Sequence, residues 1–193
     1  IHEAFATYAE AVYVECKFTK EKAVDYLYGI RKRIKNNKAI IGKYGVNNEG
    51  SSDMYYKGAN FVHTLRTLLN DDEKWWDLLK TFVSTYQYQT IKTDDVLSHF
   101  QSYYNIDLQP IFDQYLSHKK LPELLIKKKN DRLEIKWQTD VEDFQMPINI
   151  NLEDKKERFL VTNNWKAIKQ FSSIRSLKNR IDQRNMYFKI ITE

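Results

Sequence analysis

The sequence is poor in cysteine, and it has no long apolar run. A single cysteine, Cys16, excludes an internal disulfide framework and any zinc site built from several thiolates of this chain. Because Cys16 lies in an apolar helical pattern, we predict a buried thiol rather than a nucleophile. No uncharged apolar run approaches the roughly 20 residues needed to cross a bilayer, so we expect a soluble protein without a membrane span.

Glycine is confined to one end of the chain, and this marks a change in architecture. All five glycines lie in the first 58 residues, and the spacing of apolar residues changes from about 3.6 to about 2 after Leu121. We therefore predict an α+β protein of two domains: a helical domain over residues 1–121 and a small antiparallel, immunoglobulin-like β-sandwich over residues 122–193. Turns in the glycine-free second part must rely on Asn and Asp, as at Asn130-Asp131.

Periodicity and capping residues place the individual elements. Helices are predicted within His2–Phe18, from an N-cap at Thr19 to about Asn36, and over Asp53–Leu69 (capped by Ser52), Asp71–Tyr86, Thr93–Tyr104 and Leu108–His118. Strands are predicted at Leu124–Lys128, Arg132–Thr139, Met146–Leu152, Arg158–Thr162, Trp165–Phe171 and Arg184–Thr192.

Several common kinds of site find no support in the sequence. The spacing from Gly45 to Ser52 imitates a phosphate-binding loop, but Ser51 stands where the lysine belongs. The four histidines are scattered, with no pair at i, i+4 to hold a metal. The net charge of +5 divides into +1 for residues 1–121 and +4 for residues 122–193. We expect no nucleic-acid partner, although binding through the basic second part stays open as an alternative.

Two groups of residues are informative. Glu3 begins a helix that is otherwise almost entirely apolar, so its carboxylate must face water, a cation or a metal, since burial without a partner would cost several kcal/mol. A glutamate favoured by the helix dipole is the simpler interpretation. Tyr55 and Tyr56 point about 100° apart on a helix, so at most one can enter a given pocket. Gly58 allows another backbone or a ligand to approach, although core aromatics beside a packing glycine would look the same.

Together these segments resemble the aminopeptidase-N-like gluzincins, a family of zinc metallopeptidases. His-Glu-Ala-Phe-Ala-Thr-Tyr-Ala-Glu at residues 2–10 is similar to the helix that follows the family's His-Glu-x-x-His helix. Tyr-Tyr-Lys-Gly-Ala at residues 55–59 is similar to its Tyr-x-Lys-Gly-Ala segment. Residues 112–122 look like the family's exit from the helical part into a β-sandwich. The resemblance covers most of the chain, more loosely after Pro122.

The resemblance implies a thermolysin-like catalytic domain, roles for two residues, and a cofactor. Glu3 matches the third zinc ligand, and Tyr55 matches the catalytic tyrosine. A catalytic zinc keeps three protein ligands and one open position, and it polarises a water that attacks the peptide carbonyl of the substrate. A neutral tyrosine donates a hydrogen bond to the oxyanion that develops. The implied activity is removal of N-terminal residues from peptides.

The sequence departs from the family because it contains no His-Glu-x-x-His. Both histidine ligands and the general base are missing from these 193 residues. We therefore expect a fragment: the C-terminal part of a catalytic domain and the following β-domain, inactive alone and without a tightly bound zinc. A non-catalytic interaction module that keeps Glu3 and Tyr55 only as structure stays open as an alternative. Substrate preference, compartment and oligomeric state are not set by the sequence.

Overall fold

The first part of the chain is helical. The computed structural model describes residues 1–42, 45–46, 50–153 and 155–193. Its helices follow in the order α1 (His2–Lys17), α2 (Lys20–Ile30), α3 (Asp53–Leu69), α4 (Asp72–Tyr86), α5 (Thr93–Gln101) and α6 (Gln109–Phe112). A 3₁₀ turn over Arg31–Arg33 extends α2, and a π-helical turn over Asp113–Ser117 extends α6. Part of the predicted phosphate-loop-like spacing lies outside the described residues.

Local capping explains where several helices begin. Thr19 caps α2 as predicted, because its hydroxyl oxygen accepts the backbone N–H of Lys22 at 3.3 Å. The prediction for α3 is wrong in its capping atom: the side chain of Ser52 makes no cap bond, and the Ser51 hydroxyl accepts the N–H of Asp53 at 3.1 Å instead. The bounds of α3 nevertheless agree with the prediction.

One side of α1 is buried. Its buried residues follow a helical stripe: Ala4, Thr7, Tyr8 and Ala11. Cys16 is exposed, so the prediction of a buried thiol is wrong. Its position explains the error, since five residues after Ala11 the helix has turned by about 500°, which places Cys16 off the stripe.

The second part contains two sheets and a short helix. Its elements are β1 (Glu123–Lys129), β2 (Arg132–Gln138), β3 (Gln145–Asn151), β4 (Lys156–Thr162), β5 (Lys166–Ile168), α7 (Ile174–Arg180) and β6 (Lys189–Thr192). One sheet has the strand order β5-β2-β1-β6, and β3 pairs with β4 in the other. The predicted α+β class is confirmed, with helices first and a largely antiparallel sheet region after them.

Two details of the sheets show that a local turn was predicted from the sequence, whereas a long-range strand pairing was not. The β1–β2 hairpin turns at Asn130 and Asp131, with φ of 47° and 60°, as the two-residue turn predicts. By contrast, β6 pairs with β1 in parallel, with Glu123 opposite Lys189, which differs from the expected antiparallel arrangement. The sequence analysis also placed no helix at α7.

The last residues of the chain pack against the helical part. The Tyr115 hydroxyl donates to the carbonyl oxygen of Tyr187 at 2.6 Å, and the N–H of Tyr187 donates to the Thr64 hydroxyl at 3.1 Å. The Arg31 guanidinium donates to the carbonyl oxygen of Gln183 at 2.6 Å. The division into domains after residue 121 stays a prediction, and any boundary there is bridged by these buried bonds. In the part of the chain that is described, no helix is long and apolar enough for a transmembrane span.

Candidate active site at a helix crossing

Helices α1 and α3 cross at very close range where Ala4 meets Gly58. Ala4 is fully buried, and a Cβ atom added at Gly58 would lie 2.6 Å from the Cβ of Ala4. Real Cβ atoms do not approach so closely, so the crossing requires glycine at this position. The small side chains of both helices thus bring their backbones together.

Glu3 lies next to this crossing, in the first turn of α1. Its side chain is 31% exposed, and its Oε1 lies 3.2 Å from Nε2 of the neighbouring His2. Among the described residues, no lysine or arginine forms an ion pair with it. The carboxylate therefore faces water and is open to a cation, in line with the expectation that it is not buried without a partner.

Tyr55 lies in the first turn of α3, one helical turn before Gly58. It is 37% exposed, so the side chain reaches the surface. Its ring centroid is 6.5 Å from that of Tyr56, whose hydroxyl accepts a hydrogen bond from Arg33 at 3.0 Å. Tyr56 is engaged with Arg33, whereas Tyr55 leaves the helix about 100° away from it.

The crossing brings the two sequence-predicted site residues to one place. Glu3 is bonded to Ala4, and Tyr55 lies one turn from Gly58, at roughly 5 Å along the helix. Since Ala4 and Gly58 are in contact, the backbone positions of Glu3 and Tyr55 each lie within one helical turn of that contact, although 52 positions separate them in sequence. A carboxylate and a phenol, both reaching solvent, are thus held on two packed helices.

Two buried charges in α3 were missed by the sequence analysis as site residues. The Asp53 carboxylate accepts the backbone N–H groups of Lys35 at 2.9 Å and Asn36 at 2.6 Å. The Lys57 ammonium group donates to the carbonyl oxygens of His118 and Lys119. Burial lowers the pKa of Lys57 to about 8, against the opposing attraction of Asp53. The sequence offered one signal, the lysine at position 57, which lies between Tyr55 and Gly58 on a side of α3 that is buried.

A third buried charge joins α1, α3 and α4. Arg66 donates to both carboxylate oxygens of Glu15, at 2.6 Å and 2.9 Å, and to Asp72 at 2.9 Å. It also approaches the Tyr8 hydroxyl at 3.4 Å. Burial raises the pKa of Tyr8 to about 12, although Arg66 opposes this. The bidentate pair fixes the far end of α1 against α3. Since α1 also contacts α3 near Glu3, it is held against α3 at both of its ends.

The described residues do not by themselves complete a metal site. No three His, Cys, Asp or Glu side chains in the described ranges are grouped so that they could hold a metal ion. Glu3 has the chemistry of a zinc ligand, a part-exposed carboxylate oxygen without a committed cationic partner, but it is one donor of the three that a catalytic zinc takes.

The comparison with known protein families agrees with this arrangement. The family model for the Peptidase family M1 domain matches residues 1–115, which is more than half of the chain and ends shortly before the first strand. No curated protein matches the chain. The matched family consists of metallopeptidases that depend on zinc in general, so the family predicted from residues 2–10 and 55–59 is confirmed. The chain belongs to peptidase family M1.

Proposed function

We propose that this chain carries part of the catalytic machinery of a zinc-dependent aminopeptidase. In this proposal Glu3 is the third zinc ligand and Tyr55 is the catalytic tyrosine. The two histidine ligands come from a polypeptide segment other than these 193 residues, which contain no His-Glu-x-x-His. The chain on its own is accordingly inactive on peptides, and its affinity for zinc is weak.

The observation that supports the proposal is the contact between Ala4 and Gly58. It brings together the two segments whose sequences match the family, at the residue next to Glu3 in α1 and one helical turn from Tyr55 in α3. Both side chains also reach solvent, as a metal ligand and an oxyanion donor must: the Glu3 side chain is 31% exposed and Tyr55 is 37% exposed.

The roles follow from what each side chain can do at that place. Glu3 can offer a carboxylate oxygen to a metal from the first turn of a rigid helix. When bound, zinc supplies a polarised water for attack on the peptide carbonyl. Tyr55 can donate its phenolic proton in a hydrogen bond to the carbonyl oxygen as that oxygen becomes negative. Asp53 and Lys57 hold the first turns of α3, and thus the backbone that carries Tyr55, in place before the substrate binds.

Hydrolysis of aminoacyl-anilides tests the proposal. In the longer zinc-loaded polypeptide that includes the histidine pair, Tyr55→Phe is expected to lower kcat by about 10²–10³, the cost of losing one oxyanion donor. Glu3→Gln is expected to lower zinc content after dialysis. The chain of 193 residues, with zinc added, is expected to give no hydrolysis.

Tyr13→Phe is the matched control, because Tyr13 is an exposed tyrosine of α1 and lies outside the proposed site. It should leave kcat at the wild-type value. Wild-type rates in Tyr55→Phe would refute the role of Tyr55, whereas no hydrolysis by the wild-type zinc-loaded polypeptide would favour a non-catalytic module. Hydrolysis by the chain alone would refute the need for histidines from elsewhere.

A further inference from the structure

Lys57 is a fully buried cation in the helix that bears Tyr55. Its relative exposure is 0%, and its ammonium nitrogen donates to the carbonyl oxygens of His118 at 3.0 Å and Lys119 at 3.2 Å. Both acceptors lie in the segment that leaves the helical part, just before β1. No carboxylate among the described residues pairs with this ammonium group within ion-pair distance.

A buried ammonium group held only by carbonyl oxygens is a costly way to fill space. Desolvation of a cation costs several kcal/mol, and an unbranched apolar side chain of the same length would fill the volume without that cost. The lowered pKa of Lys57, about 8, reflects the same desolvation. Stability alone therefore does not account for a lysine at position 57, whereas a need for directional hydrogen bonds at this place does.

The geometry of α3 shows which side chain the bonds of Lys57 can place. Tyr55 and Lys57 are two residues apart, so their side chains leave the helix about 200° apart, on opposite faces. Lys57 holds the buried face to residues 118–119, and Asp53 holds the start of the helix to the N–H groups of residues 35–36. These bonds oppose rotation of the first turns of α3 about the helix axis, which is the motion that would displace the phenol of Tyr55.

We infer that Lys57 is a positioning residue for Tyr55, acting through the helix by its two bonds to the carbonyl oxygens of His118 and Lys119. The inference rests on the proposed function for its catalytic consequence, but the placement of the tyrosine ring can be measured without it. Misplacement of a reacting group by about 1 Å can cost about 100-fold in rate, so a small rotation of α3 is enough to matter.

The test compares Lys57→Met with Lys57→Gln. Methionine removes both hydrogen bonds at similar length, whereas glutamine keeps an N–H donor on a shorter chain. In the zinc-loaded polypeptide with the histidine pair, Lys57→Met is expected to lower kcat by about 10- to 100-fold with KM within about twofold, and Lys57→Gln to restore part of that loss. Lys80→Met, at an exposed lysine of α4, is the control and should match the wild type.

A second measurement uses the 193-residue chain and needs no activity. The ¹³C resonances of the Tyr55 ring, assigned by their loss in Tyr55→Phe, are expected to move in Lys57→Met and less in Lys57→Gln. Those of the exposed Tyr13 should stay in place. If Lys57→Met does not fold, the Lys57→Gln spectrum decides alone.

The two measurements separate failure of the inference from failure of the proposed function. Wild-type kcat and unmoved Tyr55 resonances in the Lys57 variants would overturn the positioning role while leaving a catalytic Tyr55 intact. Moved resonances together with wild-type hydrolysis in Tyr55→Phe would instead refute the catalytic role and keep the positioning of the ring.

Discussion

The helical part and the β-sheet part differ in how many charged side chains they bury. In the described helical part, three charged side chains are buried, and all of them belong to α3: Asp53, Lys57 and Arg66. The described sheet part buries one charged side chain, Asp182, which pairs with Lys156 at 2.7 Å, and the rest of its core is apolar, as where the ring of Trp137 meets Phe188 at 5.1 Å. Both parts have apolar cores, so the difference lies in the number of buried charges, whose directional partners add to the apolar packing.

The family match follows the same division. It covers residues 1–115, which include all three buried charges of α3, and it ends before the sheets. Among the described residues, three of the four buried charges therefore lie in the helix that carries Tyr55. The comparison predicts that substitutions in the sheet part change stability most, whereas those near the crossing change placement at a smaller cost.

The largest effect is expected for Trp137→Ala in the sheet core. Trp137 is almost fully buried, and its indole N–H donates to the carbonyl oxygen of Met146 at 2.9 Å. Loss of this side chain is expected to lower the free energy of unfolding by about 3–5 kcal/mol, measured by urea denaturation. Trp165→Ala is the control, because Trp165 is only partly buried, beneath the ammonium group of Lys127, and its loss should cost about 1 kcal/mol. Equal losses in the two variants would contradict a core role for Trp137.

An intermediate, pH-dependent effect is expected at the junction of the two parts. His63 is 4% exposed, and its Nε2 faces Oδ1 of Asn185 at 3.4 Å. Burial lowers the pKa of His63 to about 4, and the charges of Arg66, Arg31 and Lys20 act in the same direction. The unfolded chain, with a histidine pKa of about 6.5, therefore binds more protons than the folded chain between pH 4 and 6.5.

The sign of the pH dependence follows from this difference. The stabilisation is complete above pH 6.5 and is lost as the pH falls towards 4, by up to about 3 kcal/mol. Denaturation at a series of pH values should show this slope in the wild type and a reduced slope in His63→Gln. His2→Gln, at an exposed histidine, should retain the wild-type slope. A slope unchanged in His63→Gln would show that other groups produce it.

The smallest stability effect is expected at the helix crossing. Gly58→Ala places a Cβ 2.6 Å from that of Ala4, so α1 and α3 must separate slightly, at about 1–3 kcal/mol. Gly29→Ala is the matched control, because a Cβ there meets nothing within 4 Å, and alanine in α2 should stabilise by about 0.5 kcal/mol. Opposite signs in thermal denaturation are expected. A stabilising Gly58→Ala would contradict the close crossing.

Local features of the fold could be predicted because they depend on neighbouring residues. The cap at Thr19 and the turn at Asn130-Asp131 each involve bonds or backbone angles within a few positions of the chain. The bounds of α3 follow from helical periodicity in the same way. The early end of α2 was not predicted, because the N–H groups of Lys35 and Asn36 are taken by Asp53, 17 to 18 positions away.

For the candidate site too, features at short spacings in the sequence could be predicted and contacts between distant positions could not. The identities of Glu3 and Tyr55, and the family, could be inferred from the sequence alone, since they depend on residue types at short spacings. Their roles stay predictions. The sequence did not show that Lys57 reaches residues 118–119, because that bond joins positions about 60 apart.

The sequence by itself determined the α+β class, most helix and strand positions, and the family, through periodicity, capping and two short segments. The tertiary structure alone decided the parallel pairing of β6 with β1, the contact of Ala4 with Gly58, and the burial of Lys57. The physical reason is the separation along the chain of the residues that interact. Backbone conformation is set within a few residues, whereas the register of strands, the distance between helices and the cost of a buried charge depend on groups that only the folded chain brings together.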